Sequence, residues 1–257
     1  MAQPPAEAFS LEGRVAIVTG AGGGLGTAIC DSLAAAGATV VAAGRTATSI
    51  DIVAEQVRAA GGTSRSMVCD VTDRESIERL MSEVKDELGG IDILVNNAAI
   101  YPRREWTAIT DDEWDEVMAT NLKGYFMCAQ SAFPYLSAAG HGRIINVASI
   151  TFFGGWGMLL DYVTSKGGIV AFTRALAREI GPSGVTVNTV SPGAFPTDAE
   201  KIHPDPEGYT QHILESQSIK RRGTPDDIGN LVVFLSGDGA SFITGQLIQI
   251  DGGWVMH

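Results

Sequence analysis

Short apolar runs rich in β-branched residues alternate along this chain with longer segments whose apolar positions recur every three to four residues. The runs are Val15–Thr19, Thr39–Ala43, Ser66–Val68, Ile91–Asn96, Arg143–Val147, Val185–Val190 and Leu247–Ile250. Several are apolar throughout, as strands covered on both faces of a sheet must be. Between them the periodicity predicts helices, among them Leu25–Ala36, Arg74–Leu88, Asp112–Leu136, Tyr162–Ile180 and Asp226–Leu235. Thr110 followed by Glu113 reads as a capping box ahead of Trp114, and Gly37, Gly61 and Gly181 stand where helices should stop. Strands and helices in this alternation form repeated βαβ units, so the expected fold is α/β, a doubly wound parallel sheet of about seven strands with helices on both faces.

No Pro/Ser-rich linker or charge block interrupts the 257 residues, which are read as one domain whose first nine residues are flexible. The stretch from 195 to 218 breaks the regularity, with Pro196, Pro204, Pro206 and Gly208 among polar residues. Long loops in compact domains are usually functional, so this is the candidate substrate lid.

Hydrophobic residues at 45% and charged residues at 19% suffice for a sizeable core and exclude disorder. Cys30, Cys69 and Cys128 are odd in number and widely spaced, which fits neither a disulfide framework nor a zinc site; they are expected as buried, reduced thiols. A net charge of -12 repels phosphate backbones and anionic membrane surfaces. Residues 1–8 lack the charged and apolar regions of a signal peptide, and no apolar run reaches the ~18 residues of a membrane span, so the cytoplasm is the expected location.

The first strand runs into Thr19-Gly20-Ala21-Gly22-Gly23-Gly24-Leu25-Gly26, a glycine-rich turn that opens a helix. Without side chains the backbone can approach a pyrophosphate, whose charge then sits on the helix N-terminus. At the end of the second strand, where an NAD site carries a carboxylate for the ribose 2′-hydroxyl, the chain reads Ala43-Gly44-Arg45. A guanidinium suits a 2′-phosphate, so NADP(H) is favoured. NAD(H) stays open, because the glycine turn holds no basic residue to share that phosphate and Arg45 is also explained as a solvated surface residue.

Tyr162 and Lys166 are four apart in a predicted helix and share one face. A nearby ammonium stabilises phenolate and would lower the tyrosine pKa, which makes a proton shuttle. The pair alone is common by chance. With the glycine turn, Asn96-Asn97-Ala98-Ala99, Asn121 in Thr120-Asn121-Leu122-Lys123-Gly124, Ser149 thirteen residues before Tyr162, and Pro192-Gly193, the chain resembles the short-chain dehydrogenase/reductase family over nearly its whole length.

That resemblance implies a Rossmann-type fold and a catalytic tetrad of Asn121, Ser149, Tyr162 and Lys166. Ser149 would bond the substrate oxygen, Tyr162 would give or take the proton, Lys166 would hold the ribose and tune Tyr162, and Asn121 would anchor a water leading to solvent. Hydride would pass directly between nicotinamide and substrate carbon, without a metal. The resemblance assigns cofactor binding to Gly20, Gly24, Leu25, Gly26, Arg45, Asp70, Val71, Asn97, Ala98, Tyr162, Lys166, Pro192, Gly193 and Thr197. Asp70 is also explained as an N-cap and Thr197 as a loop hydroxyl. Ala99 stands where the family commonly has Gly. Family members of this size commonly form homotetramers, in which Trp254 to His257 would reach a neighbour's pocket.

The pocket is expected around Tyr101, Phe152, Phe153, Trp156 and Phe195, although each is also explained as core or interface. Ile100-Tyr101-Pro102 and the C-terminal segment are similar to those of secondary-alcohol dehydrogenases acting on aryl ketones. The leading expectation is therefore an NAD(P)-dependent ketoreductase or alcohol dehydrogenase for hydrophobic or aryl ketones. The alternative is a 3-oxoacyl-[acyl-carrier-protein] reductase, which would need a basic docking patch; Lys220-Arg221-Arg222 is a poor one, being followed by the turn Gly223-Thr224-Pro225. An inactive cofactor-binding scaffold would have lost a tetrad residue, and a sugar-nucleotide epimerase would carry a larger C-terminal domain.

Overall fold

The computed structural model describes residues 8–197, 200 and 205–256. Residues 1–7, parts of the lid stretch at 198–199 and 201–204, and His257 lie outside the described residues.

Seven strands and nine α-helices follow one another among the described residues. They are β1 (Val15–Thr19), α1 (Leu25–Ala35), β2 (Thr39–Gly44), α2 (Ala47–Ala59), β3 (Thr63–Val68), α3 (Arg74–Leu88), β4 (Ile93–Asn96) and α4 (Asp111–Met118). After these come α5 (Gly124–Ala139), β5 (Arg143–Val147), α6 (Thr151–Gly154), α7 (Leu160–Ile180), β6 (Thr186–Pro192), α8 (Pro206–Ser216), α9 (Pro225–Ser236) and β7 (Leu247–Ile250). All strand pairs are parallel in one sheet of order β3-β2-β1-β4-β5-β6-β7, a Rossmann-type α/β fold.

The period-two alternation of the strands divides two cores. Ala16, Val18, Val40, Ala42, Ile93, Val95 and Val190 face α1 and α9, which contribute Ile29, Leu33, Ile228 and Val232. Ile17, Val41, Leu94, Ile144 and Val187 face the other way, onto Ile77, Leu80 and Val84 of α3 and Met127, Cys128 and Leu136 of α5. Both layers are apolar because helices cover both, which explains why the strands read as nearly unbroken apolar runs. The three cysteines are free and buried, and burial raises their thiol pKa values, that of Cys69 to about 11.

The differences from the expected elements have local causes. β3 begins three residues earlier than expected because it is an edge strand whose first three residues, Thr63, Ser64 and Arg65, are polar. The expected helix over 112–136 is interrupted at Ala119–Lys123 by a π-turn, in which the Gly124 N–H reaches back to the Ala119 carbonyl. Gly181 keeps helical dihedrals; the left-handed residue that ends this segment is Gly184, after a short 3₁₀ turn. Within the lid stretch Pro206–Ser216 is helical: Asp205 caps α8 through the Gly208 N–H, with Pro206 in the first turn. The Thr110–Glu113 capping box is present, and a second joins Thr224 and Asp227 at the start of α9. Among the described residues no helix is long and apolar enough to cross a membrane.

Chain order reverses between β1 and β4, so the loops after these strands part and leave a crevice at their C-terminal ends. Every element of the candidate site borders that crevice.

Candidate active site

The loops after β1 and β4 are locked together before they diverge. The Asn97 side chain donates to the Thr19 and Gly20 carbonyls at 3.1 and 3.0 Å, and Thr19 Oγ1 accepts from the Asn97 and Ala98 N–H groups. A Cβ at Gly20 would lie 2.6 Å from Ala98 Cα, and one at Gly26 would lie 2.3 Å from the Gly20 carbonyl oxygen. These two glycines are required by close backbone packing. Gly20, Gly22, Gly23, Gly24 and Leu25 border a cavity of about 670 Å³, and no side chain caps the N-terminus of α1. The open N–H groups of that helix end therefore face a glycine-lined space, which fits a pyrophosphate.

Arg45 lies exposed on the rim of the same cavity, beside Thr46 and Ser49. Its guanidinium has no hydrogen bond or ion pair among the described residues, and it helps draw the Asp70 carboxyl down, although burial pushes that group the other way. Asp70 is not an N-cap: Asp73 caps α3, while Asp70 Oδ1 accepts from the Thr72 N–H and hydroxyl at 2.8 and 2.7 Å. Asp70 and Val71 do not line the cavity, nor do Gly26 and Ala98; Asn97, Ala99, Pro192, Gly193 and Thr197 do.

At the other end of the cavity, α7 is registered against the sheet by a buried polar chain. Asn96 Nδ2 donates to Asn146 Oδ1, Asn146 Nδ2 to Thr173 Oγ1, and the Thr189 hydroxyl also bonds Thr173. This fixes the strand ends beneath the helix that carries Tyr162 and Lys166. Ser149, just beyond β5, hydrogen-bonds the Tyr162 phenol and accepts from the Thr151 N–H and hydroxyl at 3.2 and 3.0 Å. Lys166 Nζ donates to the Val147 carbonyl at 2.8 Å and lies 5.4 Å from the centre of the Tyr162 ring and 5.6 Å from that of Tyr125. Ser149, Tyr162 and Lys166 thus share one wall.

Their electrostatics differ from the expectation of a lowered tyrosine. Burial pushes the Tyr162 phenol up, more than its Ser149 hydrogen bond pulls it back. Burial also pulls the Lys166 ammonium down to about 7. Both groups are shifted toward their neutral forms, because the wall removes solvent from each.

Asn121 is fully buried at the π-turn. Its Oδ1 accepts from the Ile100 N–H at 2.8 Å, and its Nδ2 donates to the Ile100 carbonyl at 3.0 Å and to Ser165 Oγ at 3.2 Å. The Ser165 hydroxyl in turn donates to the Tyr162 carbonyl at 2.7 Å. Asn121 therefore ties the loop after β4 to the turn of α7 between Tyr162 and Lys166.

Of the expected pocket residues, Tyr101, Trp156 and Phe195 line the cavity. The Tyr101 ring meets Tyr162 edge-on at 4.6 Å. Phe152 and Phe153 stack on each other at 3.9 Å away from the cavity lining, with Phe152 packed against the cluster of Tyr125, Ile169 and Val170. Sequence reasoning did not single out Arg103 and Leu159, which carry no motif and line the cavity; Glu200, Tyr209 and His212, from the expected lid stretch, line it too. Trp254 turns into its own chain's cavity, 5.1 Å from Trp156 and 5.7 Å from His212. The left-handed Gly252 and Gly253 turn the chain back there, and the Asp251 carboxylate holds the Gly253 and Val255 N–H groups.

The chain is similar to known proteins over nearly its whole length. The family model described as enoyl-(acyl carrier protein) reductase matches residues 20–255. The short-chain reductase protein NovJ of Streptomyces niveus is 38% identical, over 93% of each chain. The 3-oxoacyl-[acyl-carrier-protein] reductase FabG of Vibrio harveyi is 38% identical, over 96% of this chain and all of its own. A crystal structure of a gluconate 5-dehydrogenase from Burkholderia cenocepacia in complex with NADP and tartrate superposes with a TM-score of 0.92 at 30% identity, covering 98% of both chains. The glycine-lined helix end, the Ser149–Tyr162–Lys166 wall and these matches together make this chain an oxidoreductase of the short-chain dehydrogenase/reductase family.

Proposed function

We propose that the chain interconverts ketones and secondary alcohols with NADP(H), using Tyr162 as acid/base. The observation that carries this reading is the meeting of Ser149, Tyr162 and Lys166 on one wall of a cavity whose other end is the open N-terminus of α1. Nicotinamide, when bound, supplies or accepts the hydride at the substrate carbon. The Ser149 hydroxyl donates to the substrate oxygen, which stabilises charge developing there. Tyr162 delivers its phenolic proton to that oxygen in reduction and takes it back in oxidation. Lys166, held by the Val147 carbonyl, places positive charge beside the phenolate whenever it is protonated. Gly22 to Leu25 hold the pyrophosphate, and Arg45 pairs with the 2′-phosphate, which favours NADP(H). Solved relatives bind NADP, which supports the same choice.

Tyr101, Trp156 and Trp254 give the substrate end aromatic walls, which support a hydrophobic or aryl ketone. The stretch from 195 to 218 acts as the lid. The name of the Vibrio harveyi relative favours a second reading, a 3-oxoacyl thioester as substrate. Against it, the basic cluster is already committed: Lys220 donates to the Glu215 and Gln217 carbonyls, Arg221 pairs with Asp227, and Arg222 pairs with Glu200. Oxidation of NADPH with acetophenone-type ketones and with acetoacetyl thioesters tests the two. Turnover of the ketones at least as fast as of the thioesters is expected; clearly faster thioester turnover replaces the first reading with the second, and turnover of neither refutes both.

A further inference from the structure

The cavity lining runs against the charge of the molecule. In a protein of net charge -12, the charged groups lining the cavity among the described residues are Arg45, Arg103 and Lys166 against Glu200, and Glu200 is paired with Arg222. Lys166 is spent on the Val147 carbonyl and the Tyr162 ring, and Arg45 lies beside the glycine turn. Arg103 is the cation left over at the Tyr162 end.

Two adjacent arginines are used in opposite ways. Arg104 is tied down: its N–H donates to the Met158 carbonyl at 2.9 Å, its Nε pairs with Glu113 at 3.1 Å, and its Nη1 pairs with the buried Asp161 at 3.4 Å. Asp161 directly precedes Tyr162 and accepts from its N–H. Three residues before Arg103, the Ile100 backbone is held from both sides by Asn121. The loop is thus clamped on both flanks of position 103. The Arg103 side chain itself has no hydrogen bond or ion pair among the described residues, borders the cavity, and makes its charge felt at the Tyr101 and Tyr209 phenols. Tyr101 touches Tyr162, so a group bound by Arg103 belongs to the same small molecule whose carbonyl meets Tyr162. Clamping fixes the backbone from which the exposed Arg103 side chain reaches the cavity, and guanidinium matches carboxylate geometry through paired hydrogen bonds.

We propose that Arg103 is a substrate-binding residue that receives the carboxylate of a keto acid or hydroxy acid, with the carbon skeleton lying between Tyr101, Trp156 and Trp254. The proposal rests on the reductase reading above and narrows its substrate class to ketones and secondary alcohols that carry a carboxylate.

The test pairs each acid with its neutral ester, using protein saturated with NADP(H). The probes are 4-acetylbenzoate and 3-oxobutanoate against their methyl esters. Wild-type kcat/KM is expected to be at least about tenfold higher for each acid than for its ester, the scale of one charge-assisted contact. Arg103→Leu should remove that advantage through KM, with a much smaller effect on the esters than on the acids, and Arg103→Lys should recover part of it. Equal rates for acids and esters in the wild type, or an equal fall for both in Arg103→Leu, would overturn the proposal. So would selectivity for phosphopantetheine over pantetheine thioesters of 3-oxobutanoate without selectivity between acids and esters, which assigns Arg103 to a carrier arm. A readout independent of turnover is the quenching of tryptophan fluorescence at Trp156 and Trp254. Turnover of no ketone at all sinks the reductase reading. In that case, quenching by the acids, weaker with the esters and lost in Arg103→Leu, still upholds the anion site, and quenching without charge selectivity overturns it.

Discussion

At Lys166 an ammonium that ordinarily titrates near 10.4 is enclosed by two aromatic rings and one carbonyl, and its pKa falls to about 7. Between those two values the unfolded chain holds a proton that the folded chain does not, so this group makes stability rise with pH from about 7 to about 10. Below 7 the cost of burying the charge is present in full. Lys166→Met should therefore raise Tm by several degrees at pH 7, partly offset by the orphaned Val147 carbonyl, and the gain should shrink toward pH 10 in thermal unfolding scans. A gain independent of pH would mean that the charge is not what burial penalises. Arg45 is exposed at the far end of the cavity, and if it holds the 2′-phosphate as proposed, Arg45→Asp should lower the NADPH over NADH ratio of kcat/KM by roughly a hundredfold. A wild type that already prefers NADH would contradict the role given to Arg45.

At the scale of elements, the π-turn at Ala119–Lys123 brings Asn121 to bear on the site. Its amide satisfies both backbone groups of Ile100 and reaches Ser165 on α7. Asn121→Ala should leave those buried groups unpaired, at a cost of about 2–4 kcal/mol, and lower kcat by loosening Tyr101 and Tyr162 together; NADPH affinity should change far less. Chemical denaturation, steady-state rates and cofactor titration check the three parts. The π-turn was invisible to periodicity, because one extra residue inside an otherwise helical pattern leaves the apolar stripe nearly unbroken. The strands were legible because coverage on both faces demands apolar side chains at every position, and the edge strand β3 was shortened in prediction because its outer positions are free to be polar. The glycine turn and the Ser149, Tyr162 and Lys166 set were legible because their spacing is local. Arg103, Tyr209, His212 and Trp254 were not: they meet only when the sheet and the C-terminal turn bring separate segments together. Phe152 and Phe153 misled for the converse reason, since nearness to Ser149 in sequence does not determine which way a short helix faces.

At the scale of the molecule, the reversal of strand order between β1 and β4 opens one crevice that borders both the glycine turn and the Tyr162 wall. The edge strand β7 is only half-buried and Phe242 beside it is fully exposed, an edge that the homotetramer implied by family resemblance would cover; in that case sedimentation should give four chains per particle. The central claim concerns what happens between the two ends of that crevice, and it is tested most directly by Tyr162→Phe. The substitution deletes one hydroxyl and keeps the ring that Tyr101 and Lys166 touch. Single-turnover oxidation of bound NADPH by a ketone that the wild type reduces, measured beside NADPH affinity, should show an unchanged affinity and a hydride-transfer rate lower by roughly 10³-fold. A near-normal rate in Tyr162→Phe would contradict the account.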